Sequence, residues 1–297
     1  MKKLFNHEEL LQHLPNFRHD PLVDSGHSGK GLAIVLSHFG TTDREARRLA
    51  YEPMFAEVKA RYPEVEIREA YTSRIIMKRL RDRGEIFLSL PETLEGLSKD
   101  GYSHVLIQPT VLIDGVEMES IWRDVQKFVT LFEEVRLSTP LLFHPLDYSA
   151  LAQTMPDNFD GEIVYVGHGT YDSSTAQYPM LQEVLRRQGK ERILVSTIEG
   201  YPDLEDLIKD LRQRKSQKVL LRPLMYVAGV HAKEDISEEW FERLTKEGFD
   251  VSIELVGLGE LESVREIYLH KLDFALNYRA WDIMEKKKIY MTSGEKM

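Results

Sequence analysis

The 297-residue chain contains no cysteine. That excludes disulfides, thiolate metal ligands and cysteine-held iron–sulfur clusters, and it gives no sign of an oxidising compartment. No apolar run is long enough to span a bilayer, and the opening MKKLFNHEELLQHLP lacks the continuous apolar stretch of a signal peptide. Positive charge is in the minority: 39 Lys and Arg stand against 49 Asp and Glu, a formal net charge of -10. Nucleic acid, which needs a basic footprint, is therefore not an expected partner. No membrane partner is expected either, and the expected location is cytoplasmic. What is present, 42% hydrophobic residues over this length, suffices for one large or two modest cores, and two is the better expectation.

Strand-like and helix-like segments alternate along the chain. Residues 1–30 read as an N-terminal extension, with a short helix over Asn6–Leu14 and then the turn-rich HDPLVDSGHSGKG. Residues 31–142 read as a first α/β domain, with strands at 32–37, 65–71 and 104–109 and helices at 43–62, 75–83, 91–100 and 119–132. Pro91 suits a first helical turn, and Ile121, Val125, Phe128 and Val129 share one apolar face. Residues 143–260 read as a second α/β domain carrying the metal site, with strands at 162–166, 192–197, 218–225 and 250–255 and helices at 176–188, 203–214 and 236–247. Residues 261–297 supply a last helix to about 278 and a lysine-rich, partly ordered tail. Such alternation argues for parallel sheets joined by helical crossovers.

The halves resemble each other. IVLSHFGT near Ile34 parallels IVYVGHGT near Ile163, and VLIQPTVLIDGVEMES near Val105 parallels VLLRPLMYVAGVHAKED near Val219. This places Phe39 opposite His168 and Glu117 opposite His231, and it points to duplication of one α/β unit with a cleft between the copies.

Three acid–base residues follow strand-like runs at intervals of about one strand plus one crossover helix: His168, Glu199 and His231. In a parallel sheet such residues emerge together at the carboxyl edge, where open α/β sheets place ligands. His168 sits between glycines, which let a ligand approach closely. Two imidazoles and a carboxylate suit zinc, cobalt, nickel or ferrous iron without choosing among them, and the same groups can accept protons. For Glu199 alone, support of the following helix N-terminus is an equal reading. Thr41 and Thr42 read as capping residues of the first helix.

GHGT (167–170), TIEGYP (197–202) and PLMYVAGVHAKED (223–235), together with SHFGTT (37–42) and QPTVLIDGVEME (108–119), closely resemble the anaerobic sirohydrochlorin cobaltochelatases of cobalamin biosynthesis, a class II chelatase family. The likeness covers about residues 31–277 in order and spacing. It implies two similar parallel-sheet α/β domains around a cleft that takes the macrocycle, and insertion of Co²⁺, itself a substrate, into sirohydrochlorin without ATP or another nucleotide. It also implies His168 and His231 as functional histidines and His168, Glu199 and His231 as metal ligands. A homo-oligomer is compatible with this reading.

Two features depart from the family. The 30-residue extension is not part of it, and an extra His38 precedes Phe39, read here as a surface residue in preference to one that reaches the cleft mouth. An acidic protein must offer local cations to a carboxylate-rich tetrapyrrole. Arg74 and Lys233, near predicted strand ends, are the preferred anchors over Arg44, Arg47, Arg48, Lys78, Arg79 and Arg81. Glu117, and Glu119 beside it, could add a carboxylate to the cleft, and Met225 and Tyr226 either line the macrocycle or pack in the core. The alternatives are a haem-binding or demetallating chelatase-like protein, a zinc-type hydrolase with the same ligands and an open water position, and a non-catalytic protein whose cleft closes on a small ligand.

Overall fold

The computed structural model of the chain describes residue 11, residues 16–22 and residues 30–294, with His231 described by its backbone alone. A short strand, β1 (Phe17–His19), comes first. One parallel sheet then contains β2 (Leu32–His38), β3 (Glu66–Tyr71), β4 (His104–Pro109) and β5 (Glu134–Leu137), in the spatial order β3-β2-β4-β5. A second contains β6 (Glu162–Gly169), β7 (Ile193–Glu199), β8 (Lys218–Pro223) and β9 (Asp250–Ile253), in the order β7-β6-β8-β9. The two orders are the same, so the protein consists of two similar parallel-sheet α/β units. β2 and β4 are buried along their whole length, as expected of parallel strands covered on both faces.

Helices start where short polar side chains satisfy their first amides. Asp43 accepts from Glu45 N and Ala46 N to open the helix Arg44–Arg61, Ser89 and Glu92 form a capping box on Leu90–Lys99, and Asp203 accepts from Asp206 N ahead of Leu204–Gln213. The helix expected over 119–132 instead spans Val116–Gln126, because Gly115 ends the preceding turn early. β5 and the helix Pro145–Thr154 were not expected from the sequence.

The chain ends also depart from the sequence reading. The helix expected over Asn6–Leu14 lies, apart from Leu11, outside the described residues. Residues 17–22 are not part of an appendage: β1 pairs antiparallel with β10 (Tyr278–Ala280), and Leu22 is buried in the core. The lysine-rich tail forms a helix over Ile283–Ser293, capped by Asp282. The preceding helix, Glu262–Asn277, packs back on the first unit. Tyr268 Oη donates to Val111 O at 2.9 Å, and Arg265 pairs with Glu57 at 2.8 Å.

One hydrophobic cluster runs through both units, joining Tyr51 and Met54 of the first to Leu224 and Tyr226 of the second and to Tyr268 and Leu272 of the last long helix. Each sheet keeps a separate cluster on its other face. A column of rings crosses the junction: His38 stacks on Tyr51 (4.1 Å between centroids), Tyr51 on Tyr226 (5.7 Å), and Tyr226 meets Tyr268 edge-on (5.3 Å).

Candidate functional site

β6 and β7 are neighbours in register, with Gly169 opposite Glu199. His168 is thus the penultimate residue of one strand and Glu199 the last residue of the next. Neither has structural work to do. Among the described residues the exposed His168 makes one hydrogen-bond contact, Nδ1 to its own neighbour Gly169 O at 3.4 Å. The half-buried Glu199 carboxylate has no hydrogen-bond or ion-pair partner among the described residues. The cap of the following helix is Asp203, so the capping role weighed for Glu199 is taken by another residue. The turns beyond are knitted together: Thr175 Oγ1 donates to Tyr201 O and accepts from Tyr201 N, both at 3.2 Å.

His231 belongs to the helix Val230–Glu234, which continues through a wider π-type turn, Asp235–Trp240, into Phe241–Lys246. The helix expected over 236–247 thus begins six residues earlier, at Val230. Among the described side chains no three His, Asp or Glu converge as a metal site.

The carboxyl-edge turns of the two units face each other. A Cβ placed on Gly229 would lie 3.0 Å from Thr41 Oγ1, and one on Gly115 would lie 2.7 Å from Ser174 Oγ. Gln177 Oε1 accepts from Asp114 N at 3.3 Å, and its amide nitrogen donates to Asp114 O at 3.4 Å. These same edges carry exposed apolar residues: Phe39, Ile75 and Val116 in the first unit, and Tyr171, Tyr201 and Val230 in the second. Large apolar groups at helix starts and turns, where polar caps are usual, mark a surface suited to a flat apolar ligand. The sequence reading passed over them, although each lies within a few residues of an expected strand end.

The expected substrate anchors fare unequally. Arg74 is the exposed first residue of the helix Arg74–Asp82 and has no ion-pair partner among the described residues. Lys233 is already paired with Asp43 at 2.5 Å. Glu117 accepts from Thr72 Oγ1, and Glu119 pairs with Arg123 at 2.5 Å. Arg44 and Arg47 are held by Glu85, and Arg48 by Glu45. Tyr226 is a core residue whose hydroxyl donates to Ala50 O at 3.3 Å.

His38 is the clearest correction. It is fully buried, not at the surface, with Nδ1 2.8 Å from Thr110 Oγ1 and Nε2 3.2 Å from Glu69 Oε1. The duplication explains its place. Gly40 N donates to Tyr51 Oη at 3.3 Å, and Gly169 N donates to Tyr178 Oη at 3.2 Å, so the two tyrosines correspond. In the second unit the Tyr178 ring presses on Gly167, whereas in the first the imidazole of His38 occupies the matching position and stacks on Tyr51.

Residues 32–277 match the cobalt chelatase family. The chain belongs to that family. Sirohydrochlorin cobaltochelatase of Salmonella typhimurium is 33% identical over 255 residues, covering 82% of this chain and 96% of its own length. A sirohydrochlorin cobaltochelatase of Nitratidesulfovibrio vulgaris is 29% identical over 280 residues, covering 90% of this chain and 96% of its own. Among solved structures, SirB from Bacillus subtilis with Fe³⁺ superposes with a TM-score of 0.60 at 14% identity, covering 83% of this chain and 96% of that one. The sirohydrochlorin chelatase SirB in complex with cobalt gives 0.59 at 13% identity, covering 83% and 95%. Both share the fold of this chelatase. Among the described residues no helix is long and apolar enough to cross a membrane.

Proposed function

We propose that the protein inserts Co²⁺ into sirohydrochlorin without a nucleotide, with His168, Glu199 and His231 as donors to the incoming ion. The observation that carries this reading is the pair of groups at adjacent strand ends, the exposed His168 and the Glu199 carboxylate that has no partner among the described residues, in a member of the cobalt chelatase family. Both curated relatives described above are named for this reaction. The exposed apolar residues of the facing edges support binding of a flat macrocycle, and Arg74 is the cation best placed for a peripheral carboxylate.

Insertion exchanges two pyrrole N–H protons for one divalent ion, so the site must hold the metal and also accept protons. Neutral imidazoles can do either. A carboxylate beside them offsets the ion's charge while it is stripped of water. The metal must be bound by deprotonated donors, so its binding competes with protons.

The test is anaerobic and spectroscopic: Co²⁺ and sirohydrochlorin with folded protein, with and without ATP. Insertion above the spontaneous rate, independent of ATP and reduced at least about a hundredfold by His168→Ala, is expected. A rate no higher than the spontaneous one would overturn the proposal.

A further inference from the structure

The two units meet through a pseudo-twofold pair of turns whose charges are not symmetric. After the first strand of each unit the chain forms a Thr-x-Asp turn. Thr41 Oγ1 accepts from Asp43 N at 3.1 Å and Thr170 Oγ1 from Asp172 N at 3.4 Å, and each aspartate caps the helical turn that follows. After the third strand of each unit, β4 or β8, a glycine opens a helix. Glu119 N donates to Gly115 O at 3.0 Å, and Lys233 N to Gly229 O at 3.1 Å. Each first-strand turn abuts the glycine turn of the other unit.

By this correspondence Lys233 matches Glu119, and Asp43 matches Asp172. One junction carries an ion pair, Lys233 Nζ to Asp43 Oδ2 at 2.5 Å. The other places Glu119 and Asp172 around a single hollow, together with Asp114 and Trp122.

We infer that Lys233 is a positioning residue: its ion pair with Asp43 fixes the turn carrying His231 against the first unit and so sets the affinity for the metal ion. This rests on the reading of His231 as a metal donor. Lys233 follows His231 by two residues, in the opening turns of a helical run that continues to Lys246 and is buried at Ile236 and Trp240. A glycine precedes that helix, and a π-type turn interrupts regular bonding after it. Asp43, in contrast, is anchored by two backbone amides at the head of a helix of 18 residues. The ion pair therefore links the opening turns of a helix in the second unit to the head of a helix in the first. Its side chains are partly open to solvent, at 42% and 18% exposure, so its effect on global stability is small. A function in placement is what the geometry supports.

The experiment titrates Co²⁺ into the full-length protein and into Lys233→Met, Lys233→Arg, Asp43→Asn and the Asp43→Asn/Lys233→Met pair, with thermal unfolding and insertion kinetics on each. Asn caps a helix as well as Asp, so Asp43→Asn removes the charge and keeps the cap. Each neutralising variant should weaken Co²⁺ binding about fivefold, the upper range for an open ion pair. KM for Co²⁺ should rise with kcat and Tm nearly unchanged, the double variant should be no worse than the poorer single one, and Lys233→Arg should retain wild-type affinity. Unchanged Co²⁺ affinity in both singles, or an additive loss in the pair, would overturn the inference. So would a rise in KM for the tetrapyrrole alone, which would make Lys233 a substrate anchor. His231→Ala separates the two levels. If it loses Co²⁺ while Lys233→Met does not, the ion pair has no positioning role. If it keeps full affinity, the metal-donor reading fails and takes the positioning role with it.

Discussion

Gly169 packs so closely against Glu199 that a side-chain carbon there would overlap the Glu199 carbonyl oxygen. The two residues are register partners on β6 and β7, and Gly169 has φ of +84°, a left-handed conformation that side-chain-bearing residues rarely adopt. The glycine after His168 thus permits the close approach of the two strand ends, and the space beside it is taken by Glu199, not left to a ligand.

Gly169→Ala should therefore act twice. Backbone strain of this kind costs about 1–3 kcal/mol, so thermal unfolding should move to lower temperature. Co²⁺ binding measured well below the new transition should fall too, since Glu199 must shift. A variant that keeps wild-type affinity would show that the strand ends need not be in contact.

Glu199 and Asp203 should separate cleanly. Asp203→Ala removes the cap of Leu204–Gln213 and should cost about 1 kcal/mol of stability with Co²⁺ affinity unchanged. Glu199→Gln should do the reverse, weakening Co²⁺ binding about tenfold or more with stability within about 0.5 kcal/mol of wild type. Chemical denaturation and metal titration on both variants check the pattern.

A buried ion pair lies under the last long helix, where Lys271 Nζ meets Asp147 Oδ2 at 2.6 Å and Thr139 Oγ1 at 3.2 Å. The same Asp147 oxygen accepts from Phe143 N and His144 N. Removing one partner strands the other charge, so Asp147→Ala should lose about 3–5 kcal/mol in urea unfolding. Lys271→Met should lose less, because the carboxylate keeps its two amide donors.

His144 sets a pH limit on stability. Burial, reinforced by the Lys271 cation and opposed by Asp147, pushes its imidazole down from 6.5 to about 4. The folded state thus keeps this ring neutral where the unfolded chain protonates it. Its contribution, about 2 kcal/mol after allowance for solvent, is complete above pH 6.5 and is lost as the pH falls toward 4. His144→Gln should flatten the stability profile across that window, as denaturant midpoints measured from pH 7 to pH 4 would reveal.

The strands most legible in the sequence were those buried on both faces, such as β2 and β4, whose apolar runs leave little choice. β5 escaped notice because its four residues, EVRL, alternate charge with aliphatics, and Arg136 and Glu134 pair at 2.6 Å on a sheet edge. The helix Pro145–Thr154 buries Tyr148, Ala150, Leu151 and Ala152 on more than one side, so it shows no single apolar stripe. The strand-end placement of His168 and Glu199 was legible because glycine follows each. The engagement of Lys233 was not, since its partner lies 190 residues away in the chain. Nor was the burial of His38, which depends on Tyr51 approaching from the next helix.

Tyr226 carries a mechanical consequence. It belongs to the second unit, yet its ring lies between Tyr51 and Tyr268 and its hydroxyl donates to a carbonyl of the helix Arg44–Arg61. Swinging the units apart would pull this wedge from its socket and wet apolar surface on both sides. The junction between the units is therefore a packed wedge and not a free hinge.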